Sequence, residues 1–364
     1  MSVRVAILSP CFWPEVHRGA ERIVRELADG LIVRGHSPRL ITSHPGLPAR
    51  TVEDGLPIVR NWRPPGGARL ERRMWEHHMT HVPFSYLSLR RGDDQIAQAV
   101  FTTDALAALR WKERTGRPVI LSYMGVPDRQ GLVWRRGRLR TTERVMRGSD
   151  AVVVLSHTAA AAARRWLGIE TRVIHPGVDL DAFRRAGPRS GEPSVFCAAD
   201  AGEPRKRVAL LVEAMEIVRR ARPGARLVLV RPRDERLAAQ LADAGAELLD
   251  PVAEPAALAP AYSSAWVSAL PSIGDSFGIV LAEALACGTP VVGSNRDAIP
   301  EVLDRPEIGC LFDGGAPELA QALLEAFDLS EDPATEAACR ARAEDFSTGR
   351  VADAYESLYA ELLA

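Results

Sequence analysis

The 364-residue chain has no run of about 18 apolar residues, so no stretch reads as a membrane-spanning helix. Val3–Ser9 reads as a buried strand rather than the apolar core of a signal peptide. Cysteine is sparse: five residues, Cys11, Cys197, Cys287, Cys310 and Cys339, are scattered with no CxxC pair. That excludes a disulfide scaffold and a cysteine zinc site, and it points to a reduced, cytoplasmic protein. Only two lysines occur, Lys112 and Lys206, against a large excess of arginine. No HExxH motif is present, and no metal site is expected. The first β–α turn lacks GxGxxG, which argues against a dinucleotide-dependent dehydrogenase. Histidine is missing from the second half, all eight lying before residue 188.

What is present is an ordinary globular composition, 46% apolar and 26% charged, long enough for two domains. The net charge of −1 hides a division. Residues 1–187 carry 30 Arg and Lys against 18 Asp and Glu, and the remainder carries 16 against 29. A basic half joined to an acidic half suggests different partners for each. Basic stretches lie beside Trp62, Trp75 and Trp134. They are either solvated loops or a surface for an anionic membrane or a phosphorylated acceptor. His77 and His81 have the i, i+4 spacing of a helical metal pair but lack a third ligand nearby, and an ordinary helix or loop is the preferred reading. Lys112 reads as a solvated helix face.

The chain opens as strand, loop Ser9–Arg18, helix from about Gly19 to Arg34, and strand Arg39–Thr42, the start of a doubly wound sheet. Residues 44–95 are the least regular, with Ile58–Arg60 as a short strand. Ala99–Thr103 and Val119–Ser122 read as further strands, and residues 184–193 as a linker. A second β/α series begins at Ser194. Residues 205–207, Arg-Lys-Arg, stand at its first strand-to-helix turn, an arrangement suited to an anion. Helices near Pro317–Leu329, Thr335–Asp345 and Arg350–Leu362 close the chain. The fold class is α/β, with two Rossmann-like domains: 1–187, joined by a returning helix at 349–364, and 188–348.

The most informative stretch is Pro271–Val292, PSIGDSFGIVLAEALACGTPVV. It reads as the end of a buried strand, a loop, a helix of about three turns and a second buried strand. Asp275 or Ser276 is the expected N-cap, and Gly288 with Pro290 ends the helix. The amides of Ser276, Phe277, Gly278 and Ile279 then lie at the positive end of a helix dipole. Asp275 and Glu283 are separated by seven residues. A carboxylate deep on a phosphate-binding helix suits the acceptance of hydroxyl hydrogen bonds, as in dinucleotide folds.

This stretch resembles family 4 glycosyltransferases, retaining enzymes of the GT-B fold. Their signature is two acidic residues with seven between them, the first usually Glu. The segments Arg18-Gly19-Ala20-Glu21 and His175-Pro176-Gly177-Val178-Asp179 resemble further motifs of the family. The resemblance implies transfer of a hexose-type sugar from a nucleotide-diphosphate sugar to a hydroxyl acceptor, bound between two facing domains. It assigns Lys206 and Arg205 to the donor diphosphate, with Gly19 and Arg18 approaching the same phosphates. It puts Asp275 on the transferred sugar, Glu283 on the ribose and the backbone near Val252 along the nucleobase. It puts Met124 where the family usually has a histidine against the sugar. It also implies that the departing phosphate takes the acceptor's proton on the same face, with no metal or other cofactor. The 1–187 domain becomes the acceptor side and 188–348 the donor side. Because Arg18, Met124, Ala199 and Asp275 depart from the family pattern, a catalytically weakened sugar-nucleotide-binding protein of the same fold is the alternative.

Overall fold

The structure is a computed structural model and describes residues 2–16, 19–64, 78–134, 137–252 and 254–364. It divides into two compact units, Met1–Gly177 with Thr348–Ala364, and Val178–Ser347.

The first unit holds eight strands: β1 Arg4–Leu8, β2 Ser37–His44, β3 Ala49–Glu53, β4 Leu56–Trp62, β5 Ile96–Ala99, β6 Val119–Tyr123, β7 Ala151–Val154 and β8 Arg172–Val173. Their order is β3-β4-β2-β1-β5-β6-β7-β8, parallel throughout except for the β3–β4 hairpin. Helices cover both faces, so β1 is apolar on both sides. Val5 and Ile7 enter the core under helix Gly19–Val33, while Ala6 and Leu8 enter the one containing Trp111 and Met146. The last helix, Thr348–Leu363, completes the first of these cores with Tyr355, Leu358 and Tyr359.

Three readings from sequence change here. Residues 99–103 are not a strand: β5 ends at Ala99 and a helix begins at Thr102. The strand Ile96-Ala-Gln-Ala99 is poor in β-branched residues, and burial rather than propensity makes it a strand. The irregular stretch 44–95 contains the β3–β4 hairpin and helix His81–Arg90. Lys112 does more than stand on a solvated helix face: its side chain is 31% exposed, and its Nζ donates to Asp150 Oδ1 at 2.6 Å and to the Gly148 carbonyl at 3.0 Å.

The second unit holds β9 Ser194–Cys197, β10 Arg226–Val230, β11 Ala246–Leu249, β12 Val267–Leu270, β13 Val291–Ser294 and β14 Gly309–Phe312, all parallel in the order β11-β10-β9-β12-β13-β14. The chain builds outward from β9 in one direction, then crosses back to β12 and builds in the other. Ligands of open parallel sheets bind at such a reversal, beyond the carboxyl ends of the strands. In this unit the reversal lies between β9 and β12, and in the first unit between β1 and β5. Among the described residues no helix is long and apolar enough to cross a membrane.

Candidate functional site

Loops following β9 and β12 flank the reversal in the second unit, and they carry the residues singled out from sequence. After β9, Pro204–Lys206 form a single 3-10 turn, and Arg207, at φ 52°, starts helix Val208–Ala221. After β12 comes the loop Pro271–Gly278. The two loops are knitted together: Ile273 N donates to the Arg205 carbonyl at 2.9 Å, and Arg205 Nη1 donates to the Gly274 carbonyl at 2.8 Å. Gly274 N donates to Asp297 Oδ2 at 2.6 Å, so the backbone at Gly274, itself at φ +69°, is held from both sides.

Lys206 and Asp275, 69 residues apart in sequence, meet as an ion pair at 2.7 Å. Both side chains are mostly enclosed, 20% and 13% exposed. Ser272 Oγ donates to the same Asp275 oxygen, Oδ2, at 2.9 Å, and Ser294 Oγ fixes Ser272 through its carbonyl at 2.5 Å. Burial pushes the Asp275 carboxyl up. The Lys206 ammonium, its hydrogen bond, that of Ser272 and the nearby Arg205 together outweigh it and hold the group below the usual carboxylate value. Arg205, by contrast, is half exposed, and its guanidinium is engaged by Glu203 and the Gly274 carbonyl.

The helix that follows runs only over Ile279–Ala286, two turns rather than three. Its N-cap is neither Asp275 nor Ser276 but Gly278, in the left-handed region at φ 94° with no side-chain cap. Asp275 instead accepts from Lys206 and Ser272 within the loop, and the left-handed Gly278 takes the cap position. Ser276 and Phe277 therefore belong to the loop, with Phe277 buried against Phe346, while Ile279 opens the helix. The expected stop holds, since Gly288 at φ +76° follows the last turn. Glu283 lies in the middle of the helix, 1% exposed, and its Oε2 accepts the Tyr262 hydroxyl at 2.7 Å.

Val252 is 38% exposed beside Asp250, in a groove of about 510 Å³ floored by Phe196, Val228 and Leu249. In the first unit, Gly19 opens the helix after the β1 loop with open space where a Cβ would stand, and Met124 follows β6, half-buried against the core. Arg18 and His77 lie outside the described residues. His81 is fully buried, its Nε2 3.3 Å from Asp104 Oδ1, which removes it from any surface metal pair with His77.

Three residues important to this geometry had no clear signal in the sequence. Ser272 was only a flank of the Asp275 motif. Tyr262 contacts Glu283 across 21 residues, a partnership no local pattern reveals. Asp297, at φ 54°, stands in a polar turn before Ile299 and looks like ordinary loop chemistry.

Residues 17–182 match the family described as Glycosyltransferase Family 4, and residues 192–328 match Glycosyl transferases group 1. The chain is similar to the phosphatidyl-myo-inositol mannosyltransferase of Mycobacterium tuberculosis, with 30% identity over 350 residues, 88% of this chain and 85% of the relative. It is also similar to the D-inositol 3-phosphate glycosyltransferase of Segniliparus rotundus, 32% identical over 272 residues, 68% of this chain and 58% of the relative. Among solved structures, sucrose-phosphate synthase from Thermosynechococcus elongatus superposes with a TM-score of 0.83 at 21% identity, over 99% of both chains. An Anabaena protein solved with UDP and glucose superposes with a TM-score of 0.76 at 16% identity, over 98% of this chain and 99% of that one. The fold is of the GT-B type, and the chain belongs to glycosyltransferase family 4 and is a glycosyltransferase.

Proposed function

We propose that the enzyme moves a hexose-type sugar from a nucleotide-diphosphate sugar to a hydroxyl acceptor, with retention of configuration and without a metal. The observation that carries this reading is the enclosed Lys206–Asp275 pair at the strand-order reversal of the second unit. On this reading the donor diphosphate displaces Asp275 from Lys206, and the carboxylate, still held by Ser272, turns to the sugar hydroxyls. Lys206 and the amides at the start of helix Ile279–Ala286 oppose the charge growing on the leaving diphosphate. Each such fixed donor contributes about 2.7–4 kcal/mol. Arg205 serves chiefly by holding the Gly274 backbone. Glu283 holds the ribose, the backbone near Val252 borders the base, and the family resemblance assigns Gly19 and Arg18 to the phosphates. Met124 faces an apolar part of the sugar, such as a 6-deoxy methyl. Equal turnover of a 6-hydroxyl donor and its 6-deoxy analogue would argue against that assignment.

The departing phosphate takes the acceptor's proton, so no enzymic nucleophile is invoked. The two curated relatives act, by name, on a phosphatidyl-myo-inositol and on an inositol 3-phosphate, which makes cyclitol acceptors the first to assay. Purified protein should hydrolyse its donor slowly, and Lys206→Ala and Glu283→Ala should abolish this. Donor binding without hydrolysis or transfer would favour the weakened binding protein instead. Rates in the presence and absence of EDTA should agree within about twofold, since electrostatic stabilisation here comes from protein donors.

A cytoplasmic site of action with peripheral contact at an anionic membrane completes the proposal. It is favoured by Val133 and Trp134, 61% and 62% exposed beside Arg138. Flotation with anionic liposomes, but not with neutral ones, is the expected result.

A further inference from the structure

Tyr262 lies in the short helix Ala259–Ser264 and is fully buried. Its ring stands edge-on to Phe196 at 4.9 Å and to Phe183 at 6.2 Å, and its carbonyl accepts Thr289 Oγ1 at 2.7 Å. Ring and backbone are thus both fixed, which fixes the phenol oxygen. A phenylalanine would fill the same space, and an interior hydroxyl is costly unless it has a partner. That partner is Glu283 Oε2 at 2.7 Å. Glutamate has three side-chain torsions, and a rigid donor to a carboxylate is a strong means of selecting one arrangement among them.

We infer that Tyr262 is a positioning residue, whose hydroxyl sets the Glu283 carboxylate in the orientation that accepts the ribose diol of a nucleoside diphosphate. This rests on the reading of Glu283 as the ribose ligand. A carboxylate turned away from the diol would still be buried, and the protein would still fold, but ribose and deoxyribose would no longer be distinguished.

Calorimetric titration of the full chain with UDP, GDP and ADP, each beside its 2′,3′-dideoxy counterpart, tests the assignment. For the preferred base the unaltered enzyme should bind the ribonucleotide about tenfold more tightly, the worth of one charge-assisted hydrogen bond. Glu283→Ala should erase that ratio. Tyr262→Phe should lower it to about threefold or less while leaving dideoxynucleotide affinity unchanged, because the change removes the hydroxyl's bond to Glu283 and keeps the ring. A full ratio in Tyr262→Phe, with none in Glu283→Ala, overturns the role of Tyr262 and leaves that of Glu283 standing. No ratio in the unaltered enzyme, or a ratio that survives Glu283→Ala, removes the ribose reading and the inference with it. Equal weakening of both nucleotides in Tyr262→Phe means the hydroxyl serves packing alone and also overturns it.

Discussion

Lys206 and Asp275 neutralise each other inside a nearly closed loop, so each is the reason the other tolerates its surroundings. Removing the ammonium leaves an enclosed carboxylate with Ser272 as its remaining side-chain donor. Lys206→Ala is therefore expected to lower the transfer rate by about 100-fold or more, as loss of a charge-stabilising donor does. It should also cost about 1–3 kcal/mol of stability by urea titration. Because the folded Asp275 pKa is depressed, its contribution is complete above its ordinary value of 3.8 and fades as the pH falls below it. A second buried pair behaves differently. Burial drives His81, helped by His78 and Arg63, down to about 3 and drives Asp104 well up, so desolvation favours both neutral forms. The folded pair keeps a single proton, on Asp104. The unfolded chain also binds one between 3.8 and 6.5, on histidine, and loses it above 6.5. Stability should then fall as the pH rises above 6.5, for as long as Asp104 keeps its proton, read as a declining urea midpoint, and Asp104→Asn should flatten that decline.

At the level of elements, Gly278 decides where helix Ile279–Ala286 begins. Its φ of 94° suits glycine, and an added Cβ would lie 2.7 Å from Ile299 Cδ1. Gly278→Ala should cost about 1–2 kcal/mol from backbone strain alone. Combining it with Ile299→Val should relieve the steric part, which a double-mutant cycle on thermal unfolding measures. The sequence announced this helix through its apolar positions and its Gly288 stop, which are local signals. It did not announce the N-cap, because Gly278 has no side chain to mark a cap and the tie of Asp275 to Lys206 spans 69 residues. Strand β5 was misplaced for a related reason. Ile96-Ala-Gln-Ala99 becomes a strand through its neighbours β1 and β6, whereas Val100 and Phe101 only look like one. Of the candidate site, Asp275 and Glu283 were legible as a spaced acidic pair, and Lys206 as part of a basic strand-to-helix turn. Tyr262 and Asp297 were not, since their importance exists only once distant segments meet.

Across the whole molecule, the last helix is fastened into the first unit by a buried polar chain. Tyr359 donates to Gln98 Oε1, Gln98 Nε2 donates to Ser122 Oγ at 2.9 Å, and Ser122 lies 3.3 Å from the Tyr355 hydroxyl. Tyr359→Phe leaves a buried amide oxygen without this donor and should cost about 1–3 kcal/mol. If the units melt separately, only the transition of the first should move.

The second unit begins and ends at one place: Val178 N donates to the Phe346 carbonyl at 2.7 Å, and Val178 bridges Ser347. It is an uninterrupted stretch of chain set into a host whose own sequence is split around it. With its ends already side by side, a short turn of added peptide could join residue 347 to 178 into a closed ring. Such a cyclised cassette should fold without its host and still warm on adding nucleoside diphosphate in a thermal-shift assay, while transferring nothing.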